Sequence, residues 1–461
     1  MIVMKFGGTS IGSSDAISKV ADIIFNSRAL EKVVVTSAMS GVTDELLNLA
    51  KAAIREDSGE VWPGYEKLKS KHERTIGILA AEDKNEALVA NESLFLELKR
   101  VLDGLILLKE LTSRTLDLIA SFGERLSAPI LASAIRGRGL KAIAFDAREM
   151  IFTDDAYTSA EVDFVPTNGA IREKLLAKIR QGIVPVVTGF ISSSSEGATT
   201  TLGRGGSDYT AAIIGAALGA ERVEIWTDVD GIFSADPRLL PAAKILPEVS
   251  YSEAIEMSYF GAKVIHPKTM VPAFEAGIPI IIKNTFNPGA PGTSIQKEVI
   301  NKVGGVKAVT AIPRVSMVTV QGIGLRGRTG FAAKFFDVAG KNKINILMII
   351  QASSEQSICV LVGRDDGLKL QAALKRVFEA EIQSKAVQSI ILDQDIAVVA
   401  IVGAGMRGTL GIAGRAFTAV AEAGANILAI AQGSSELNIS FVVRFGDMEK
   451  SVAAIHKTFI C

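Results

Sequence analysis

The chain opens on a short apolar run at residues 2–6, broken only by Lys5. Small residues follow, then a stretch at 14–28 whose apolar positions recur at helical spacing, then the continuous β-prone run Val33-Val34-Val35-Thr36. Strands that are apolar along their whole length, alternating with helices, predict a parallel sheet covered on both faces. The alternation continues over the first two thirds. The spacing predicts helices at 44–54, 111–135, 173–181 and 252–260, and strands at 141–146, 183–190, 222–226 and 279–283. Residues 56–100 read as charged helix, expected to cap or cover a site. Residues 192–197 read as a flexible polar loop. The run Asn287-Pro288-Gly289-Ala290-Pro291-Gly292 reads as a linker.

The last third repeats itself. Residues 320–362 align without gaps to 401–443, so that Gly322, Gly324, Arg326, Gly327 and Gly330 match Gly403, Gly405, Arg407, Gly408 and Gly411. Asn345, Gln351, Ser353, Ser354 and Glu355 likewise match Asn426, Gln432, Ser434, Ser435 and Glu436. Two copies of one small α+β unit follow, each a strand, glycine loop, helix, strand, strand. Each copy carries the spacing G-x-G-x-x-G after a strand. A dinucleotide unit would also place an acidic residue at the end of the next strand. Those strands end at Gln351 and Gln432, which argues against a nicotinamide cofactor and for a small polar effector.

Composition narrows the class. The chain has 461 residues, 48% of them hydrophobic, and Lys plus Arg balance Asp plus Glu at 50 each. That is ample for several cores and gives no basic block of the kind that holds nucleic acid. The longest apolar run, near residues 396–406, carries glycines and is too short to span a membrane. The N-terminus lacks the layout of a signal peptide. Two cysteines and three scattered histidines argue against structural zinc and fit a reducing, cytoplasmic compartment.

The chemistry gathers on Gly203-Arg204-Gly205-Gly206-Ser207-Asp208, which runs into an Ala-rich helix. A glycine loop feeding a helix N-terminus is an anion site, and Arg204 adds a fork suited to carboxylate or phosphate. Ser207 and Asp208 are expected as N-caps, and Asp208, if functional, must meet a metal or another cation. Lys5, in an otherwise buried strand before Gly7-Gly8, suits a charge that meets phosphate oxygens. No Walker A loop occurs. The small-residue loop 37–43 ends in Thr43 at a strand's C-terminal end, where ligands gather in open α/β sheets. Glu124 lies in an apolar helical context but reads equally as an ordinary exposed helix glutamate, and Asp228 lies at a strand end, where carboxylates that bind Mg²⁺ or ribose are found. Lys263 reads as a second phosphate contact or a surface cation, and His266 as structural.

Taken together, these segments resemble aspartate kinases. The resemblance is carried by Lys5-Phe6-Gly7-Gly8-Thr9-Ser10, by the loop at 203–208, and by Trp226-Thr227-Asp228-Val229-Asp230-Gly231-Ile232. Phe260-Gly261-Ala262-Lys263-Val264-Ile265-His266-Pro267 and the paired Gln-x-Ser-Ser-Glu motifs at 351 and 432 add to it. It implies an amino acid kinase catalytic domain over 1–294, a parallel-sheet three-layer α/β fold, and two α+β regulatory ACT domains (βαββαβ) at 315–388 and 396–461. No homoserine dehydrogenase half is expected after them. It further implies ATP with Mg²⁺ as phosphoryl donor and L-aspartate as acceptor. Lys5 and Asp208 would be catalytic; Thr43, Glu124, Arg204 and Ser207 would bind the amino acid. Lys5, Gly7, Gly8, Thr227, Asp228, Phe233, Arg238, Lys263 and Val264 would bind the nucleotide. Phe233 stands where many relatives carry Tyr, which keeps a stacking ring and loses a phenolic hydrogen bond. Asn345, Gln351, Asn426 and Gln432 are the expected effector contacts, with threonine favoured over lysine, in a homodimer or larger assembly.

Overall fold

The computed structural model describes residues 1–78, 84–261, 265–299, 305–323, 329–351 and 356–460. These form two compact units. The first comprises 1–232, 245–251 and 264–299; the second comprises 233–244, 252–263 and 300–461. The polypeptide therefore passes between the units several times and is not cut once.

The first unit is built on β1 (Ile2–Phe6), β2 (Lys32–Thr36), β3 (Lys141–Phe145), β5 (Ile183–Thr188), β8 (Arg222–Thr227) and β10 (Ile280–Asn284). With β9 (Glu248–Ser250) and β11 (Thr293–Gln296) they make an eight-stranded sheet in the order β3-β5-β2-β1-β8-β10-β11-β9. All neighbours run parallel except β10 and β11. That pair is a hairpin with Ile280 opposite Ile295, so the Pro- and Gly-rich stretch 287–292 is its turn and not the linker the composition suggested.

β1 sits centrally and is buried throughout. Helices α1 (Ser14–Asn26), α2 (Val42–Ile54) and α5 (Ser113–Arg136) share one large apolar cluster with Ile2, Met4 and Phe6 of β1. Helices α6 (Phe164–Arg180), α7 (Gly206–Leu218) and α9 (Pro267–Glu275) complete this unit's packing, with α7 against β1. By length and hydropathy α5 would cross a membrane, but it is largely buried, as a core helix is. The charged helices α3 (Ser58–Ile78) and α4 (Lys84–Leu108) pack on α2 and α5. Among the described residues they do not line the cleft described below. Lys71 of α3 reaches its rim, donating to the Ser40 carbonyl at 2.9 Å.

A second sheet, β4 (Phe152–Thr153), β6 (Ile191–Ser194) and β7 (Thr199–Thr201), replaces the expected polar loop. Ser192, Ser193 and Ser194 are buried there. Their hydroxyls are satisfied internally: Thr200 Oγ1 lies 2.8 Å from Ser192 Oγ and 2.7 Å from Thr153 Oγ1. Hydroxyls that bond one another and the backbone can be buried at little cost, which hydropathy alone does not anticipate.

The second unit holds α8 (Tyr251–Tyr259) from Ser252 onward and the repeat: β12 (Ala308–Gln321), α10 (Phe331–Lys341), β13 (Ile346–Gln351), β14 (Ser357–Val362), α11 (Asp366–Val377), α12 (Glu379–Gln383), β15 (Ser389–Val402), α13 (Ile412–Glu422), β16 (Ile427–Gln432), β17 (Asn438–Arg444) and α14 (Met448–Phe459). One six-stranded sheet runs β13-β14-β12-β15-β17-β16 and mirrors the duplication about its middle pair. Both central strands have 14 residues, and β12 shifts register between Ile312 and Met317. Beyond the shift, Ser316–Gln321 pairs with β14 on one side and with the start of β15 on the other. Before it, Ala308–Ile312 pairs with Val398–Val402, the half of β15 that also pairs with β17. Each copy thus takes its fourth strand from the other copy's long strand. The βαββαβ order expected for 396–461 is completed by 308–312, outside that range.

Candidate active site

The C-terminal ends of β1, β2 and β8 and the N-terminus of α7 frame one cleft of about 1070 Å³. Lys5, Gly7, Gly8, Thr43, Glu124, Arg204, Ser207, Asp208, Thr227 and Asp228 all line it. Lys5 is held in register between Val35 of β2 and Ile225 of β8. Its Nζ meets Asp208 Oδ1 at 2.6 Å, both side chains nearly buried. The lysine thus finds the partner that a buried charge requires.

Asp208 is free for this because it is not the cap. Gly205 takes that position with φ +73°, a left-handed conformation that glycine adopts without strain. The turn closes through Gly206 N–H to Gly203 O at 3.0 Å, leaving Ser207 and Asp208 in the first helical turn. The sequence expectation of a side-chain cap is therefore corrected. The glycine geometry starts the helix, and the first-turn carboxylate serves the cleft.

Glu124 reaches the cleft through a close approach of backbone. A Cβ at Gly123 would lie 2.6 Å from Ala38 Cβ, so the loop after β2 rests directly on α5. That contact brings Ala38 N–H to Glu124 Oε1 at 3.1 Å. Glu124 is 4% exposed, and its Oε2 is buried with no hydrogen-bond partner among the described residues. Burial pushes its carboxyl up to about 8, opposed by the Ala38 N–H and the nearby Lys5 charge. Arg204 is exposed on the same rim, and Thr43 is half-buried.

Phe190 and Asp117 are among the wall residues that no motif marked in the sequence. Phe190 follows β5 with φ +68° and packs on Gly206, where a Cβ would lie 2.6 Å from its ring. Nothing in the local sequence signals that. Asp117 lies two helical turns before Glu124 on α5 and is 2% exposed. Its burial raises the carboxyl, against three hydrogen bonds. Its signal was legible: a second acid at seven-residue spacing on an apolar helix face.

Phe233 and Arg238 fall in the second unit and are not among the cleft's lining residues. The Arg238 guanidinium is exposed and held by Asp236 at 2.7 Å. Lys263 and Val264 lie outside the described residues. In the second unit Asn345 and Asn426 immediately precede β13 and β16, and Gln351 and Gln432 end those strands. All four are exposed, at equivalent places on the two outermost strands. Among the described residues no group of three or more His, Cys, Asp or Glu is placed to hold a metal ion.

The fold and cleft are those of an amino acid kinase joined to paired regulatory units, and sequence comparison agrees. The amino acid kinase family model matches residues 1–284, and an ACT domain model matches 318–378 and 399–459. The chain is 36% identical to aspartokinase 1, chloroplastic, of Arabidopsis thaliana, over 99% of this chain and 80% of that one. It is 37% identical to the bifunctional aspartokinase/homoserine dehydrogenase 1, chloroplastic, of Zea mays, over 99% of this chain and 50% of that one. The chain thus spans about half the length of the bifunctional relatives. The crystal structure of E. coli aspartokinase III in complex with aspartate and ADP superposes with a TM-score of 0.83 at 29% identity, covering all of both chains. The chain belongs to the aspartokinase family.

Proposed function

We propose that this protein transfers the γ-phosphoryl group of ATP to the side-chain carboxylate of L-aspartate, giving 4-phospho-L-aspartate and ADP. One observation carries the reading: the Lys5–Asp208 pair, Arg204 and the buried, half-unpartnered Glu124 share a single cleft at the strand ends. The family and the aspartate- and ADP-bound neighbour support it.

The acceptor is already an anion, so no general base is needed. Its carboxylate oxygen attacks the γ-phosphorus as the bond to the β-phosphate oxygen breaks, and catalysis reduces to positioning and charge neutralisation. Lys5, on the rigid central strand, stabilises charge on the transferring group, helped by the Gly7–Gly8 backbone and oriented by Asp208. Arg204 grips the α-carboxylate in bidentate fashion, with Ser207 and Thr43 as hydrogen-bonding partners. Glu124 takes the ammonium on its free oxygen. Thr227 and Asp228 meet the nucleotide; for Phe233, Arg238, Lys263 and Val264 that role rests on the motif. With Asp208 engaged by Lys5, Mg²⁺ would arrive on the ATP phosphates, in keeping with its usual binding through substrate phosphates and few carboxylates.

The duplicated unit is read as a sensor for an end product of aspartate-derived amino acid synthesis, threonine ahead of lysine. Asn345, Gln351, Asn426 and Gln432 are its contacts, and the enzyme is read as a cytoplasmic homodimer or larger. Inhibition requires the effector to bind one conformation better than the other. The domain boundaries 1–294, 315–388 and 396–461 belong to this proposal as the extents of the catalytic segment and the two sequence repeats.

The test is ATP-dependent formation of an acyl hydroxamate, hydroxylamine trapping the acyl phosphate. It is run with aspartate or glutamate, and with threonine or lysine added. Product with aspartate alone, suppressed by one of the two, supports the reading. No product with any acceptor overturns it.

A further inference from the structure

Asp117 has no role in the reading above, yet it is a nearly fully buried carboxylate in the wall of the cleft. Its Oδ2 accepts from Thr158 N–H at 2.8 Å and from Thr201 N–H at 3.0 Å, and its Oδ1 accepts from Thr201 Oγ1 at 2.8 Å. Thr158 sits at φ +75°, which a β-branched residue adopts only when its surroundings hold it there. The turn so held touches the glycine loop. Gly203, itself at φ +74°, packs tightly on that turn: a Cβ there would lie 3.0 Å from Ser159 Oγ and 3.3 Å from Thr158 O. Thr201 ends β7, and the loop carrying Arg204 begins two residues later. Asp117 and Glu124 project from one helix, seven residues apart.

We propose that Asp117 is a positioning residue for the amino-acid substrate: it clamps the turn at Thr158 and the end of β7, and through them sets the place of Gly203 and Arg204 relative to Glu124. One helix then fixes both ends of the amino acid, its ammonium directly through Glu124 and its α-carboxylate indirectly through the loop Asp117 holds. The inference rests on the assignment of Arg204 and Glu124 to substrate. ATP, which meets Lys5, Gly7 and Gly8 across the cleft, does not depend on this clamp.

The experiment compares Asp117→Ala and Asp117→Asn in the full-length chain. The alanine variant leaves the buried Thr201 N–H and the partly buried Thr158 N–H without their acceptor. It should raise KM for aspartate by roughly tenfold or more, with KM for ATP and kcat within about twofold, reading one lost buried interaction as a tenfold factor. An asparagine carbonyl can accept both N–H bonds while its amide donates to Thr201 Oγ1. That variant should restore KM for aspartate to within about threefold of the parent. Equal damage from both substitutions, or KM values that rise together, overturns the clamp. Should the alanine variant not fold, Thr201→Val removes the Oγ1 bond alone and should raise KM for aspartate selectively; an unchanged KM there overturns it equally. Amide hydrogen exchange separates the two layers of inference. Thr158 and Thr201 should exchange faster in the alanine variant while α5 stays protected, whatever the substrate. Faster exchange in a protein with no aspartate-dependent turnover keeps the clamp and discards the substrate. Unchanged exchange discards the clamp.

Discussion

At the scale of single residues, the cleft works by holding unlike charges where water cannot screen them. Lys5 and Asp208 act as one unit, so their losses should not add. Lys5→Ala, Asp208→Ala and the double variant should each lower kcat by about 10²-fold or more, to nearly the same residual rate, while the far-ultraviolet spectrum stays that of the parent. Near-normal turnover in either single variant removes both from the catalytic set. Glu124 makes a different prediction. Its carboxyl is pushed up to about 8 by burial, so at neutral pH most of the free enzyme carries it protonated. Only the ionised form attracts an ammonium group. KM for aspartate should fall as pH rises from 6 to 8 and level off above, with KM for ATP flat. In Glu124→Gln that pH dependence should vanish. Lys5 and Asp208 were legible as chemistry out of place, a charge in an apolar run and an acid inside an anion-binding loop; Arg204 was legible as that loop's fork, while Glu124 alone read as well as an ordinary helix glutamate and gained its role only from the motifs taken together. Asp208's position in the first helical turn was not legible, because the competing cap was a backbone conformation of Gly205 and not a side chain.

At the scale of elements, the helices behind the cleft carry a pH sensitivity of their own. His72 on α3 is fully buried, with Nδ1 2.8 Å from the Leu68 carbonyl and its ring edge-on to Phe95 of α4. Its Nε2 has no partner among the described residues. Burial lowers its pKa to about 4 from 6.5, so it is neutral in the fold. As pH falls through 6.5 the unfolded chain takes the proton first, and stability declines between pH 6.5 and 4. The full loss is about 3 kcal/mol for a shift of this size. The unfolding midpoint of His72→Leu should depend less on pH over that window, measured by thermal denaturation. If the parent and the variant decline in parallel, His72 is not the group responsible. Periodicity located α2, α5, β1, β2 and β8, but it misread β6. The strand Ser192-Ser193-Ser194 buries hydroxyls paired with Thr200 Oγ1, the Arg148 carbonyl and the Ala198 N–H, and hydropathy scores them as solvent-facing.

At the scale of the whole molecule, the duplication makes a regulatory prediction. Gln351 and Gln432 occupy equivalent strand ends, so Gln351→Ala should raise the effector concentration for half-inhibition by about tenfold and leave uninhibited kcat unchanged. An identical inhibition curve takes Gln351 out of the effector site. The constant offset of 81 residues displayed the repeat in the sequence. What it hid was ownership of the central strands, because an apolar strand declares that it is buried and not which strand lies beside it. The exchange of β12 and β15 has a consequence for descent. The second copy cannot be inherited, spliced out or transplanted by itself, since even a cut inside β15 at 394–395, which leaves the first copy its four strands, parts the second from 308–312. Such a pair evolves as a single heritable unit. Two halves that began alike are free to diverge in what they bind, but not in whether they are kept.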